Sequence, residues 1–343
     1  LRIANALTPD RTEEIMAILV TGGAGYIGSH MAHALMERGE TVVVLDNLAT
    51  GAEWTVPHAA TFIRGDIADQ KLVNRLIREN AIVEIIHFAG SVVVPDSVAD
   101  PLAYYLNNTA KSRDLLEAAV AGGVERFIFS STAAVYGQPD SVPVVEEAEL
   151  KPMSPYGRSK LMTEWMLRDT AAATGLAYVA LRYFNVAGAD PKGRTGQSTP
   201  RATHLVKVAC ETAVGARPHL DIFGRDYPTA DGTCVRDYIH VSDLIAAHDA
   251  ALGHLRGGGA NGIFNCGYGR GYSVLDVVAA MERATGRPLP VRDAPRRPGD
   301  PPAIVAGAER ARQVLGWSPR HDDLDLIVAS ALAWERRLRQ RNA

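Results

Sequence analysis

Cysteine is scarce: 3 in 343 residues, with Cys210, Cys234 and Cys266 far apart and no Cys-x-x-Cys pair. That spacing excludes a disulfide framework and a zinc ribbon, and suits core thiols in a reducing compartment. No apolar run approaches the ~18 residues that a membrane span needs, and the first residues lack the basic, apolar, small-residue order of a secretory signal. The chain therefore reads as a cytoplasmic protein. No lysine or arginine run exceeds an Arg-Arg pair and the net charge is −3, so a nucleic-acid partner has little support. The basic end from Glu335 to Arg341 reads as a solvated helix terminus. There is no tandem repeat and no low-complexity linker. His87 and His240 have no carboxylate or second histidine at metal spacing, which makes them satisfied strand residues and leaves no metal site.

What is present is a 47% hydrophobic share, enough for one large or two intimately joined domains. Residues 1–15 precede Met16 and read as an extension or tag that the fold does not need. Ile18-Leu-Val-Thr21 is a short buried strand running into a turn with Gly22, Gly23, Gly25 and Gly28, and Ser29 to Glu37 follows as a helix. In either glycine register the turn lacks the Cβ atoms that would keep a pyrophosphate from the helix N-terminus. A second β-branched strand, Thr41 to Asp46, ends in a carboxylate about twenty residues later, where it can bind the adenosine 2′-hydroxyl. Asp46 thus argues for NAD over NADP.

Strand and helix then alternate through Thr61–Asp66, Val83–Gly90 and Arg126–Ser131, which implies an α/β, doubly wound parallel-sheet Rossmann fold. The helical stretch Asp100 to Ala121 starts with Asp-Pro and stops at Gly122-Gly123. The strand Ala177–Tyr183 ends this NAD-binding domain at residue 185. Residues 186–234 and 257–343 form a smaller, discontinuous α/β substrate lobe, and 235–256 is expected to return to the large sheet as a further βα unit. Gly262–Gly267 is expected to lead back out to the smaller lobe.

Tyr156 and Lys160 open a helix reaching about Ala173, and their i,i+4 spacing puts phenol and ammonium on one face. A tyrosine with a reference pKa of ~10 needs a neighbouring positive charge to act as a base at neutral pH. Lys160 and an oxidised nicotinamide can supply it. A Tyr/Lys pair is common by chance; its weight comes from following Ser130-Ser131-Thr132, whose hydroxyl can share a proton with the phenol.

With these motifs, together with His87-Phe-Ala-Gly90, Leu181-Arg-Tyr-Phe-Asn185, Val235 to Val241 and Pro295 to Asp300, the chain resembles the extended short-chain dehydrogenases/reductases. Among them it is most similar to the UDP-glucose 4-epimerases, over about Ala17 to Trp334. The resemblance implies NAD bound throughout turnover, with Tyr156 taking the proton from the sugar 4-hydroxyl. Thr132 would bridge sugar and phenol, and Lys160 would hold the nicotinamide ribose and lower the phenol pKa. Gly22, Gly25, Tyr26, Ile27 and Gly28 would hold the pyrophosphate, Asp46 and Asn47 the adenosine ribose, and Asp66 and Ile67 would sit near adenine. Phe88, Ala89, Gly90, Asn107, Ser130 and Tyr183 would complete the cofactor site. For the UDP-sugar, Asn185, His204, Leu205, Arg236, Arg297, Asp300 and Ile304 match contact positions; an arginine can grip a phosphate with two parallel hydrogen bonds. The resemblance also suggests a homodimer.

Two positions depart from that pattern. Val92 replaces a lysine common near the cofactor phosphates, and His204 replaces the asparagine of an Asn-Leu pair. Ala133 and Ala134 stand where related dehydratases carry an acid pair, so elimination lacks its proton carriers. Other UDP-sugars, N-acetylhexosamines or pentoses, remain alternatives. A non-catalytic NAD sensor could dispense with the Tyr/Lys pair and the arginines.

Overall fold

The computed structural model describes residues 16–297 and 299–342; the expected extension, residues 1–15, and Pro298 lie outside the described residues. In chain order the first half runs β1 (Ala17–Thr21), α1 (Tyr26–Glu37), β2 (Thr41–Asp46), β3 (Thr61–Arg64), α2 (Gln70–Glu79), β4 (Glu84–His87), α3 (Val94–Ala99), α4 (Pro101–Tyr104), α5 (Lys111–Ala121), β5 (Arg126–Thr132), α6 (Pro155–Thr174) and β6 (Ala177–Tyr183). The second half runs β7 (Asn185–Ala187), α7 (Leu205–Ala213), β8 (Leu220–Phe223), β9 (Val235–Arg236), β10 (Tyr238–His240), α8 (Val241–Arg256), β11 (Gly262–Cys266), β12 (Tyr272–Ser273), α9 (Val274–Thr285), β13 (Val291–Ala294), β14 (Ala303–Ile304), α10 (Glu309–Leu315) and α11 (Leu324–Asn342).

Seven strands form one parallel sheet in the order β11-β6-β5-β4-β1-β2-β3. Successive residues of each strand feed opposite faces: Ile18 and Val20 join one apolar core, Ala17 and Leu19 the other. That two-sided burial explains why the strands read as continuous apolar runs and not as alternation. The chain order reverses between β1 and β4. A crevice therefore opens at their carboxyl ends, next to the glycine turn, where ligands bind in such sheets.

The second half corrects the expected path. Strand 238–240 does not return to the large sheet: β10 pairs in parallel with β7, Tyr238 opposite Asn185. The chain bends at Asp237, whose carboxylate leaves the strand to accept from the Tyr268 and Gly269 amides at 3.0 and 2.9 Å. The seventh strand is β11, expected in the smaller lobe, which pairs with β6 and buries Phe264 and Cys266. Helix α8 does lie over the sheet, against α1, β5 and β6. The stretch 100–121 is also interrupted: Asp100 caps α4 through the Ala103 amide at 3.1 Å, and residues Tyr105–Ala110 form a π turn before α5. All three cysteines are buried and free. No helix among the described residues is long and apolar enough to cross a membrane.

Four histidines, His30, His87, His240 and His248, are buried, and burial lowers them from the ordinary 6.5 to about 4, 3, 4 and 4 respectively. They stay neutral in the folded protein but protonate below pH ~6.5 when unfolded. Their contribution is thus complete above pH ~6.5 and is lost as pH falls toward 4, each adding at most about 1.4 kcal/mol per pH unit. The urea midpoint is expected to drop between pH 7 and pH 5. An unchanged midpoint would contradict the assignment.

Candidate active site

The turn after β1 is built for close approach. Gly22 has φ 68°, and a Cβ there would sit 2.6 Å from the Ala89 amide nitrogen. A Cβ on Gly28 would overlap the Gly22 carbonyl. Helix α1 begins at Tyr26, earlier than the expected Ser29, and its N-cap residue Gly25 offers no side-chain acceptor. Its first amides are therefore free for an anion. Tyr26 donates its hydroxyl to the Gly188 carbonyl at 2.7 Å, tying the turn to the second half of the chain.

At the end of β2 the buried Asp46 carboxylate accepts from Ala24 and Leu48 amides at 3.0 and 2.8 Å. Burial nevertheless raises its pKa against those two bonds. Each oxygen keeps a lone pair for a ribose hydroxyl, and the fixed charge opposes a 2′-phosphate; the residues present fit NAD. Asn47 accepts from the Ala49 amide at 3.0 Å. Burial pushes Asp66 up, but its ion pair with Lys111 at 2.5 Å, the Ala68 amide and Asn47 together outweigh it and the pKa is lowered. Ile67 is buried beside it. On the facing wall a Cβ on Gly90 would lie 3.1 Å from Asn108 Oδ1 and 3.4 Å from Lys160 Nζ. Asn107 donates to Ser91 Oγ at 2.9 Å, whereas the buried Asn108 holds both the Ser91 amide and carbonyl, at 2.7 and 2.9 Å.

One cleft of about 420 Å³ joins this crevice to the second half of the chain. Gly22, Ile27, Phe88, Ser130, Thr132 and Tyr156 face it from the large sheet, and Asn185, His204, Arg236, Asp300 and Ile304 from the other side. Ser154 caps α6 by accepting from the Gly157 amide at 3.2 Å, which presents Tyr156 in the first turn. Burial raises the Tyr156 phenol above its ordinary value, while its hydrogen bond with Thr132 pulls the other way. Lys160 is buried, its Nζ donates to the Ser130 carbonyl at 3.0 Å and lies 5.0 Å over the Phe129 ring, and burial brings its pKa down to about 8. Tyr183 hydrogen-bonds Ser130 Oγ, so Ser130 is gripped from both sides.

On the far side Arg236 donates to Asp300 at 2.6 Å and to the Val235 carbonyl at 2.8 Å. β14 pairs with β9 so that Ile304 stands opposite Arg236; it is buried yet forms part of the cleft wall. Two of the residues expected for the UDP-sugar are not on that wall. Arg297 stacks over Phe223 at 3.8 Å, and Leu205 borders a small adjacent void. The cleft also uses Thr50, Met153, Gln197 and Thr199, which sequence reading missed. They sit in loops without motif, so spacing carried no signal for them. Val92 is 45% exposed and faces the cleft, leaving no cation at that place.

A doubly wound sheet with a glycine turn, an acid closing its second strand and a Tyr-x-x-x-Lys helix beside a serine/threonine strand end defines a dinucleotide-dependent short-chain dehydrogenase/reductase. Residues 18–267 match the model of the NAD dependent epimerase/dehydratase family. A UDP-glucose 4-epimerase of Azospirillum brasilense is 58% identical over 331 residues, 96% of this chain and 95% of that protein. The crystal structure of a UDP-glucose 4-epimerase from Brucella ovis in complex with NAD is 45% identical with a TM-score of 0.90, over 92% of this chain and 97% of that one. Another, from Stenotrophomonas maltophila with bound NAD and formylated UDP-arabinopyranose, is 40% identical with a TM-score of 0.92, over 96% of this chain and 100% of that one. The chain belongs to the NAD-dependent epimerase/dehydratase family.

Proposed function

We propose that the protein inverts C4 of a UDP-hexose, interconverting UDP-glucose and UDP-galactose with NAD held throughout. One observation carries the reading: the glycine turn, the Tyr156 and Thr132 hydroxyls, and the Arg236–Asp300 pair all face a single cleft. The Gly22–Gly28 turn and Asp46 would hold NAD, which would supply a hydride acceptor and donor for C4 of the sugar. Tyr156 accepts the 4-hydroxyl proton and gives it back, and the Thr132 hydroxyl bridges the two oxygens. A cation beside the phenol would favour its ionised form, and Lys160 together with the oxidised nicotinamide would supply it. Lys160 orients the nicotinamide ribose from its seat on Ser130. Arg236, already aimed by Asp300, neutralises the diphosphate, and Asn185 holds the sugar. Ala133 and Ala134 lie on the cleft wall and carry no proton, which favours inversion over elimination. A cytoplasmic setting is part of the proposal, supported by three free, buried thiols.

Purified protein is expected to convert UDP-galactose to UDP-glucose without added cofactor. Absence of conversion, even with NAD supplied, would overturn the reading. Because a Cβ on Gly28 overlaps backbone, Gly28→Ala should release little or no NAD on denaturation where the unaltered protein releases about one equivalent per chain; equal release would contradict the pyrophosphate role of the turn. Ile304 is shorter than tyrosine but β-branched and stiff, so UDP-galactose should be preferred over UDP-N-acetylgalactosamine. Ile304→Ala should shift the kcat/KM ratio toward the N-acetylated sugar by roughly 10-fold, within the ~1–3 kcal/mol that an apolar wall discriminates. An unchanged ratio removes Ile304 as a gate.

A homodimer also belongs to the proposal. Leu102, Leu106 and Trp165, at 77%, 58% and 45% exposure, leave an apolar face along α4, the π turn and α6 that a second copy can cover. Light scattering on the eluting protein should give twice the chain mass.

A further inference from the structure

Outside the cleft lies a second pocket, of about 130 Å³, between the loop after β2 and the last turns of α11. Trp54 and Trp334 form its aromatic walls, their rings stacked at 6.1 Å and 25°. Arg194, Arg337 and Arg341 ring it. The carboxylates nearest in the chain are already taken: Asp190 and Glu37 pair with Arg194 at the rim, Glu37 also with Lys192, and Glu335 pairs with the buried Lys207 at 2.5 Å. Among the described residues neither Arg337 nor Arg341 has a carboxylate partner; Arg341 lies 4.2 Å over the Trp54 ring instead. Arginines near a helix carboxyl end offset its dipole, which accounts for the placement of both. It does not account for Trp334 Nε1, a buried donor with no acceptor on a side chain only 6% exposed. Buried N–H groups in folded proteins have acceptors, from protein, water or ligand.

We propose that Trp54, Trp334, Arg337 and Arg341 form a second anion site that takes a phosphoryl group, as orthophosphate or a small phosphomonoester. Two guanidiniums four residues apart on one helix face suit paired hydrogen bonds to phosphoryl oxygens, and the unpaired indole N–H belongs to a residue of the same wall. The volume, set against about 420 Å³ for the cleft, has no room for a second dinucleotide.

The site is wired to the cofactor turn. Trp54 sits in a short helical turn, Glu53–Thr55. Thr55 Oγ1 donates to the Ala24 carbonyl at 2.9 Å, and the Ala24 amide in turn donates to Asp46. Thr50 of the same loop faces the cleft. An anion that draws Arg341 off Trp54 and bridges α11 to this loop would therefore stiffen the adenosine side of the cofactor site.

The test uses the full chain saturated with NAD and UDP, so that the cleft is filled. Tryptophan fluorescence is followed during titration with orthophosphate and, separately, with glucose 1-phosphate, against potassium chloride at matched ionic strength. A saturable change is expected, with a midpoint at least tenfold weaker in the Arg337→Gln/Arg341→Gln variant and lost in Trp334→Phe, while basal turnover of the arginine variant stays within twofold. A tighter midpoint for glucose 1-phosphate would identify a phosphomonoester as the ligand, and equal midpoints orthophosphate. A linear response matched by chloride would overturn the proposal, as would a midpoint unchanged in the arginine variant.

Discussion

Tyr156→Phe is expected to lower kcat by about 10²–10⁴-fold while leaving the fold and bound NAD intact, because only the phenol oxygen is removed and loss of a positioned acid/base costs that much. The phenol opens onto the cleft, as Thr132 does, so no packing contact depends on its oxygen. The loss should appear in kcat and hardly in KM, since the nucleotide is held at the far end by Arg236 and Asp300. Thr132→Val should reproduce part of the loss. A Tyr156→Phe variant with unchanged kcat would take the phenol out of the proton path, and one that also failed to retain NAD would show a structural effect instead.

Arg182→Met carries the largest expected effect on stability. Arg182 and Glu164 are 2% and 1% exposed as side chains and form two parallel hydrogen bonds, Nε to Oε1 at 2.9 Å and Nη2 to Oε2 at 2.6 Å. Arg182 Nη1 also donates to the Tyr136 hydroxyl at 3.0 Å. Removing one partner strands a buried carboxylate, which costs about 3–5 kcal/mol, whereas replacing both by apolar groups is often near neutral. Urea unfolding should register that loss in Arg182→Met and a substantial recovery in Arg182→Met/Glu164→Leu. The pair also bears on chemistry. Glu164 lies one turn beyond Lys160 on α6, and Ser131, next to Thr132, donates to it. Loosening this knot should blur the Thr132–Tyr156 geometry and lower kcat in the single variant as well. If the single variant unfolds no earlier than the unaltered protein, the knot is not a stability element.

How much of this was legible in the sequence follows from the range of each interaction. The glycine turn, Asp46 and the Tyr156/Lys160 pair are local: their spacing fixes the strand, turn and helix that present them, and the glycine turn and Tyr156 face one cleft. The seventh strand was not legible, because Gly262–Cys266 and Val235–His240 are both short stretches that read as strands. Which one extends the sheet is decided by Asp237, whose carboxylate takes backbone amides some thirty residues on. The seat of Lys160 was not legible for a related reason. The i,i+4 spacing puts both residues on one helix face, but the ammonium is drawn to the Ser130 carbonyl, a partner from another strand. The Arg182–Glu164 knot and the loop residues Thr50, Gln197 and Thr199 depend wholly on tertiary placement, and no pattern in the chain announces them. Arg236 and Asp300 were readable only through resemblance; their mutual hydrogen bond across sixty-four positions is what the structure adds.

The central claim is that C4 is oxidised and reduced within one cleft by a cofactor that does not leave. Turnover of UDP-galactose deuterated at C4, with no cofactor added, tests it most directly when the product is examined by proton and deuterium NMR. The account predicts UDP-glucose carrying deuterium at C4, with none lost to water. Product with hydrogen at C4 and the label in solvent would contradict it.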